Sequence, residues 1–387
     1  MQNFVLHNQT KIIFGADRLQ EIGSEAKELG AKALLVYGRR SIRQNGILAA
    51  VTASLKSHDI AMVHHDGVQS NPLLSHVRQG ITKAKEEQVD MVIAVGGGSV
   101  IDSAKAIAAG ALVDHDVWKF FNGKKSIKQC LPLACVLTLA AAGSEMNGGM
   151  VITHDERKVK FGTGNRLLNP VVSILDPTLT YTVPPDYTAY GAADAIAHIL
   201  EFYFTTSDAN TPVQDRFMEG LVINIMASCD KVLHDPSHYQ GRADLMWCAT
   251  LALNGWTAAG LGLVGFPMHM IEHTLSAHYD IAHGAGLSVV MPAWLTHQAE
   301  RAPHKFAQFG RRVFQVEEKE GRAAGQAGIG CLKEWLRGAG CPTSLAELGI
   351  GPDNIPFLAE QSLPLAKLWR LKEYDQEKIE TILRSCL

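Results

Sequence analysis

The chain has 387 residues, of which 47% are hydrophobic and 19% charged, and a formal net charge of −3. That length and composition suit a folded protein of about two domains and exclude a disordered chain. A charge so near neutrality supplies no field to attract nucleic acid or an anionic membrane surface, so neither is expected as a partner.

The seven cysteines are dispersed and form no CxxC pair, a usage that fits reduced thiols in the cytoplasm. The opening MQNFVLHNQTKIIFG lacks the basic stretch and apolar run of a signal peptide. No apolar run reaches the roughly 18 residues that a membrane span requires.

In chain order, Ala33–Tyr37 reads as a buried strand ending in a turn at Gly38. Ile60–Val63 is a weaker strand, and Asp90–Val95 a strong one. Gly96-Gly97-Gly98-Ser99 follows at once, and Val100–Ala111 reads as a small-residue helix. Cys135–Leu139 and Val171–Leu175 are further buried strands. Strand, turn and helix repeated in this way predict a doubly wound, mostly parallel sheet, with ligands at the carboxyl ends of its strands. After Asp176-Pro177 and Pro184-Pro185 the pattern becomes helical over Tyr187–Phe204, Pro212–Leu233, Tyr239–Ala259 and Phe266–His278. The expected organisation is an α/β dinucleotide-binding domain over residues 1–180 and an all-α domain over 181–387.

The glycine turn between a β-branched strand and a helix lets backbone N–H groups approach a diphosphate at the helix N-terminus. Ser99 can cap that helix or donate to a phosphate oxygen. Asp102, one turn further on, can complement the helix dipole or orient part of a cofactor. Taken alone, the turn is also compatible with an ordinary strand-to-helix connection.

The helical half carries metal-ligand residue types at helical spacing. Asp194 and His198 are four residues apart among Ala, Ile and Leu, so they share an apolar face. A buried carboxylate facing a histidine calls for a partner, and a cation is a natural one. His269 and His273 repeat the spacing, and His283 follows before a glycine-lined turn. One aspartate and three histidines make a four-ligand divalent site, although spacing leaves His278 open as a member.

Several stretches together resemble the iron-containing, or group III, alcohol dehydrogenases, in their butanol dehydrogenase and NADPH-dependent aldehyde reductase branch. They are FVLHNQTKIIFG, AVGGGSVIDSAKAIA, VLTLAAAGSEMN, ILDPTLTYTVP, DAIAHILE and MHMIEHTLSAHYDIAHGAGL. The resemblance implies a metal held by Asp194, His198, His269 and His283, with His273 near the nicotinamide as the catalytic candidate. It places the diphosphate at Gly96, Gly97, Gly98 and Ser99, with Asp102 behind. Thr138 and Lys160 are implied as further cofactor contacts. It also implies a homodimer, an active site in a cleft between the domains, and one divalent metal, Fe2+ or Zn2+. The implied reaction is hydride transfer between a nicotinamide dinucleotide and a small primary alcohol or aldehyde, with the metal polarising the substrate oxygen.

Two departures from the family pattern stand out. Ala142 occupies a position where threonine is common, and Arg39-Arg40 interrupt a loop that is often glycine-rich. The turn Tyr37-Gly38-Arg39-Arg40-Ser41 contains no acid to accept hydrogen bonds from a ribose. Gly38 leaves room for a 2′-phosphate, Ser41 can donate to it, and Arg39 or Arg40 can pair with it. NADP(H) is therefore expected over NAD(H), by about tenfold to a hundredfold for one charge-assisted bond of roughly 1.5–3 kcal/mol. Rival readings are polyol oxidation or a lyase-type cyclisation on the same scaffold, and a non-enzymatic metal-binding protein. Turnover of butanal or glycerol separates the first two from the expected activity. Failure to bind a nicotinamide cofactor would favour the third.

Overall fold

The structure is a computed structural model that describes residues 1–207, 210–317 and 321–387. By its contacts the chain forms two compact units. One comprises His7–Val183 with Pro236–Thr250, and the other Met1–Leu6, Pro184–Asp235 and Leu251–Leu387. No helix among the described residues is long and apolar enough to cross a membrane.

The first unit is built on a six-stranded parallel sheet of order β1-β8-β5-β4-β2-β3. Its strands are β1 (Lys11–Phe14), β2 (Lys32–Tyr37), β3 (Ala61–His65), β4 (Met91–Gly96), β5 (Leu133–Leu137) and β8 (Val172–Leu175). Strand alternation sorts the side chains into two cores. Leu34, Val36, Val92, Ala94, Cys135 and Leu137 pack with the helices Leu74–Glu86 and Gly98–Gly110. Leu35, Tyr37, Met91, Ile93, Val95 and Val136 pack on the opposite face with Ile47–Lys56 and Ile22–Lys27. Burial on both faces explains why these strands read as continuous apolar runs.

The doubly wound sheet therefore forms as expected. Two features go beyond that expectation: the edge strand β1 and the antiparallel hairpin of β6 (Gly149–His154) and β7 (Val159–Gly164). Neither has the long β-branched run of a central strand. The hairpin alternates buried and partly exposed positions and includes several glycines, which weakens its local signal. The helix Tyr239–Ala252 also crosses a simple cut at residue 180, because Met246 is buried in the core of the α/β unit. All seven cysteines are free.

The second unit is helical. Its principal members here are Pro185–Thr205, Pro267–Tyr279 and His283–Ala299. The last of these starts at His283 and keeps its helix through Pro292, so the glycines after His283 lie in a helix rather than in the expected turn.

Candidate active site

Strand order reverses beside β2, whose neighbours are β3 on one side and β4 on the other. Such a reversal opens a crevice at the carboxyl ends of the two strands. Gly38 to Ser41 follow β2 there, and Gly97 to Ser99 follow β4, which ends at Gly96. Gly97 stands at the N-cap of the Gly98–Gly110 helix with extended backbone and no side-chain cap. The first-turn N–H groups thus form the kind of end that accepts a phosphate.

The turn has little room for side chains. A Cβ at Gly96 would lie 2.5 Å from Val100 Cγ2, and one at Gly97 would lie 3.0 Å from Leu139 Cβ. A Cβ at Gly98 would meet Ala142 at 3.4 Å. The segment after β5 therefore lies directly against the glycine turn, and Thr138 N–H donates to the Gly96 carbonyl at 3.1 Å. Glycines that keep such a cradle open fit a bound dinucleotide.

Some expected cofactor residues brace this wall. Ser99 Oγ donates to the Ser70 carbonyl at 2.5 Å. Asp102 is held by Ser144 Oγ at 2.6 Å and Val151 N–H at 2.9 Å. Burial raises the Asp102 carboxyl above its ordinary range, against the opposing pull of Lys105. Lys160 Nζ donates to Asn71 Oδ1 at 3.0 Å. Sequence reading missed Lys105, whose fully buried ammonium donates to the carbonyls of Ser144, Asn147 and Gly149 at 2.7, 2.8 and 2.7 Å. It fastens the segment that faces the glycine turn. Its signal was a single lysine among small apolar residues.

In the helical unit, one ligand atom each from Asp194, His198 and His269 lies within 4.8 Å of the others. Asp194 Oδ1 is 3.1 Å from His198 Nδ1, 3.5 Å from His269 Nε2 and 3.8 Å from His283 Nε2. Imidazole nitrogens of His198, His269 and His283 thus all lie within 3.8 Å of one carboxylate oxygen, with His283 outside the tighter group of Asp194, His198 and His269. His198 Nδ1 also contacts the Asp194 carbonyl at 2.9 Å, and a carbonyl can only accept, so Nδ1 carries the proton and Nε2 remains a ligand atom. His273 groups with Glu272 and His283, while His278 packs edge-on against Phe357.

Electrostatics match this convergence. Burial alone would raise the Asp194 carboxyl, but His198, His269 and His283 outweigh it and hold it well below the ordinary range. Burial would lower His269, yet Glu201 and Asp194 push it up to about 10. Asp194 Oδ1 and His269 Nε2 are nevertheless buried without a hydrogen-bond partner. Buried polar atoms left in this way carry a desolvation cost, which a cation between them would offset. An Asp/His donor set fits a borderline divalent metal such as Fe2+ or Zn2+.

A dinucleotide cradle at a topological switch point and a converging Asp/His cluster define the class of metal-dependent, nicotinamide-linked dehydrogenases. Comparison with known proteins gives the family. Residues 9–177 match the profile described as iron-containing alcohol dehydrogenase, and residues 188–387 that of the Fe-containing alcohol dehydrogenase family, C-terminal. The chain belongs to the iron-containing alcohol dehydrogenase family.

Among its relatives, NADH-dependent butanol dehydrogenase A of Clostridium acetobutylicum is 38% identical over 94% of this chain and 93% of its own length. NADPH-dependent aldehyde reductase YqhD of Escherichia coli is 34% identical over 93% of each chain. The crystal structure of NADH-dependent butanol dehydrogenase A from Thermotoga maritima superposes with a TM-score of 0.96 at 42% identity, covering 100% of this chain and 99% of that one. The chain is an NAD(P)-dependent oxidoreductase of the butanol dehydrogenase branch.

Proposed function

We propose that this enzyme interconverts small primary alcohols and aldehydes, using one divalent metal held by Asp194, His198, His269 and His283. The carrying observation is the pair of buried atoms without a hydrogen bond, Asp194 Oδ1 and His269 Nε2, within the group of Asp194, His198 and His269, with His283 Nε2 3.8 Å from the same oxygen. When bound, the metal supplies Lewis acidity to the substrate oxygen, and the nicotinamide gives or takes hydride at the adjoining carbon. The chain's own task is to orient both partners and exclude water. We assign His273, which is buried beside His283, the transfer of a proton to or from the substrate oxygen. Chelator-treated protein should lose butanal reduction and regain it with Fe2+ or Zn2+. His273→Ala should keep the metal and lose turnover. Full butanal turnover by metal-free protein would refute the metal-dependent reading.

NADP(H) is the proposed cofactor in preference to NAD(H). A Cβ at Gly38 would meet nothing nearer than the Val68 carbonyl at 3.9 Å, and Arg39 is exposed beside it. The carboxylate of Asp66, just after the neighbouring strand β3, pairs with Arg43 at 2.5 Å. Positive charge with room beside it favours a 2′-phosphate. The expected kcat/KM is about tenfold or more higher with NADPH than NADH, and Arg39→Asp should move the preference toward NADH. Equal kcat/KM values would remove this assignment.

A cytoplasmic homodimer is the proposed state. The free cysteines support a reducing compartment. Val5 is 96% exposed, within an N-terminal run in which Met1, Phe4 and Leu6 are also exposed. An apolar run of this kind is a candidate association surface. Light scattering should give twice the chain mass, and a single-chain mass across a wide concentration range would count against it.

A further inference from the structure

We propose that Glu201 and Glu272 are positioning residues of the metal centre, each fixing the tautomer and ring orientation of one histidine ligand. The inference rests on the ligand assignment above and extends it to two residues outside the ligand set.

Glu201 Oε2 lies 2.5 Å from His269 Nδ1, and Glu272 Oε2 makes a close contact with His283 Nδ1. An ionised carboxylate only accepts, so each contact places the imidazole proton on Nδ1. With Nδ1 so engaged, Nε2 is the nitrogen left to take a metal, and the two Nε2 atoms lie 3.5 and 3.8 Å from Asp194 Oδ1. The two carboxylates are fully buried, so solvent does not compete for these bonds. A carboxylate behind a ligating histidine fixes its orientation and raises its basicity.

The connections also link three helices. Asp194, His198 and Glu201 stand at i, i+4 and i+7 on Pro185–Thr205, one stripe of a single helix. Glu201 reaches across to His269 on Pro267–Tyr279, and Glu272 of that helix reaches His283 on His283–Ala299. Glu201 Oε1 further accepts the N–H groups of Met268 and His269 at 2.6 and 3.1 Å. Phe266 offers no side-chain cap there, so Glu201 satisfies that helix end from a neighbouring helix. Glu272 Oε1 in turn accepts from Ser276 Oγ. Glu201 is thus hydrogen-bonded at both oxygens, and Glu272 is hydrogen-bonded at Oε1 while its Oε2 lies against His283 Nδ1, which leaves either histidine little freedom to rotate.

The test is cobalt(II) binding to the full-length protein, read by chelator competition and by the visible d–d spectrum. NADPH affinity and thermal midpoint serve as controls for folding. Glu201→Gln puts an NH2 group among donors, and Glu272→Ala removes the acceptor for His283. Both should weaken cobalt binding about 10–100-fold and alter the spectrum, with NADPH affinity unchanged. Glu272→Gln keeps an amide oxygen for Nδ1–H and should restore most of the affinity, which a generic packing defect would not. Unchanged cobalt affinity and spectrum in both Glu201→Gln and Glu272→Ala would overturn the inference. Asp194→Ala separates it from the underlying reading. Cobalt retention there would refute the ligand assignment, whereas cobalt loss there with intact binding in the glutamate variants would refute the inference alone. If Glu201→Gln does not fold, the Glu272 pair decides.

Discussion

Asp194→Ala is expected to lose metal and turnover together while still binding cofactor. A single oxygen, Asp194 Oδ1, lies within 3.8 Å of imidazole nitrogens from His198, His269 and His283. Removing it takes away the negative charge that a divalent ion meets inside a buried site, and three neutral imidazoles remain. The loss of affinity should exceed the roughly 10–100-fold typical of an outer-shell partner, since a ligand itself is deleted. The dinucleotide cradle belongs to the α/β unit and contains none of these residues. NADPH binding should therefore persist, which separates this outcome from global unfolding. Metal analysis after dialysis, paired with butanal turnover and NADPH titration, makes the measurement. One equivalent of tightly held metal in Asp194→Ala would exclude Asp194 from the ligand set.

Gly284→Ala should damage the same centre without touching a ligand. A Cβ at Gly284 would sit 2.1 Å from the Tyr190 carbonyl oxygen, 2.6 Å from its carbon and 2.8 Å from the Tyr190 Cα. All three are backbone atoms of the Pro185–Thr205 helix, so no side chain can swing aside. The methyl group must separate that helix from His283–Ala299, immediately beside His283 and one turn from Asp194. Overpacking of this kind costs about 1–3 kcal/mol, and a backbone clash belongs at or above the upper end. Metal affinity should fall with stability, because the displacement acts on the distance between Asp194 and His283. Gly330→Ala is the matching control, since its Cβ would meet nothing within 4 Å in the middle of Gly321–Gly338. There alanine should stabilise by roughly 0.5–1 kcal/mol through lower backbone entropy in the unfolded chain. Thermal midpoints and cobalt affinity of the two variants give the comparison. A Gly284→Ala protein with parental values in both would contradict the close approach.

Much of this was legible in one dimension. The apolar runs ending at Tyr37, Val95 and Leu139 marked central strands, because burial on both faces leaves no polar alternation to confuse the pattern. The glycine turn after β4 was equally clear, since a strand, three glycines and a small-residue helix are local features. Asp194 and His198 were readable as a pair because helical geometry sets spacing within one element. The family resemblance then joined that pair to His269 and His283.

Residue spacing could not decide which faces meet. His269 and His273 share the same helical spacing, yet His269 turns toward Asp194 while His273 groups with Glu272 and His283. Glu201, Glu272 and Lys105 read locally as ordinary charged residues in apolar helices. Their partners lie on other elements: Glu201 with His269, Glu272 with His283, and Lys105 with the carbonyls of Ser144, Asn147 and Gly149. The turn after β2 was likewise incomplete without Asp66, which is brought near by β3 and paired with Arg43. Local sequence determines an element and the face on which a side chain stands, through backbone sterics and periodicity. The partner across that face follows from long-range packing, which brings residues distant in the chain within hydrogen-bonding reach.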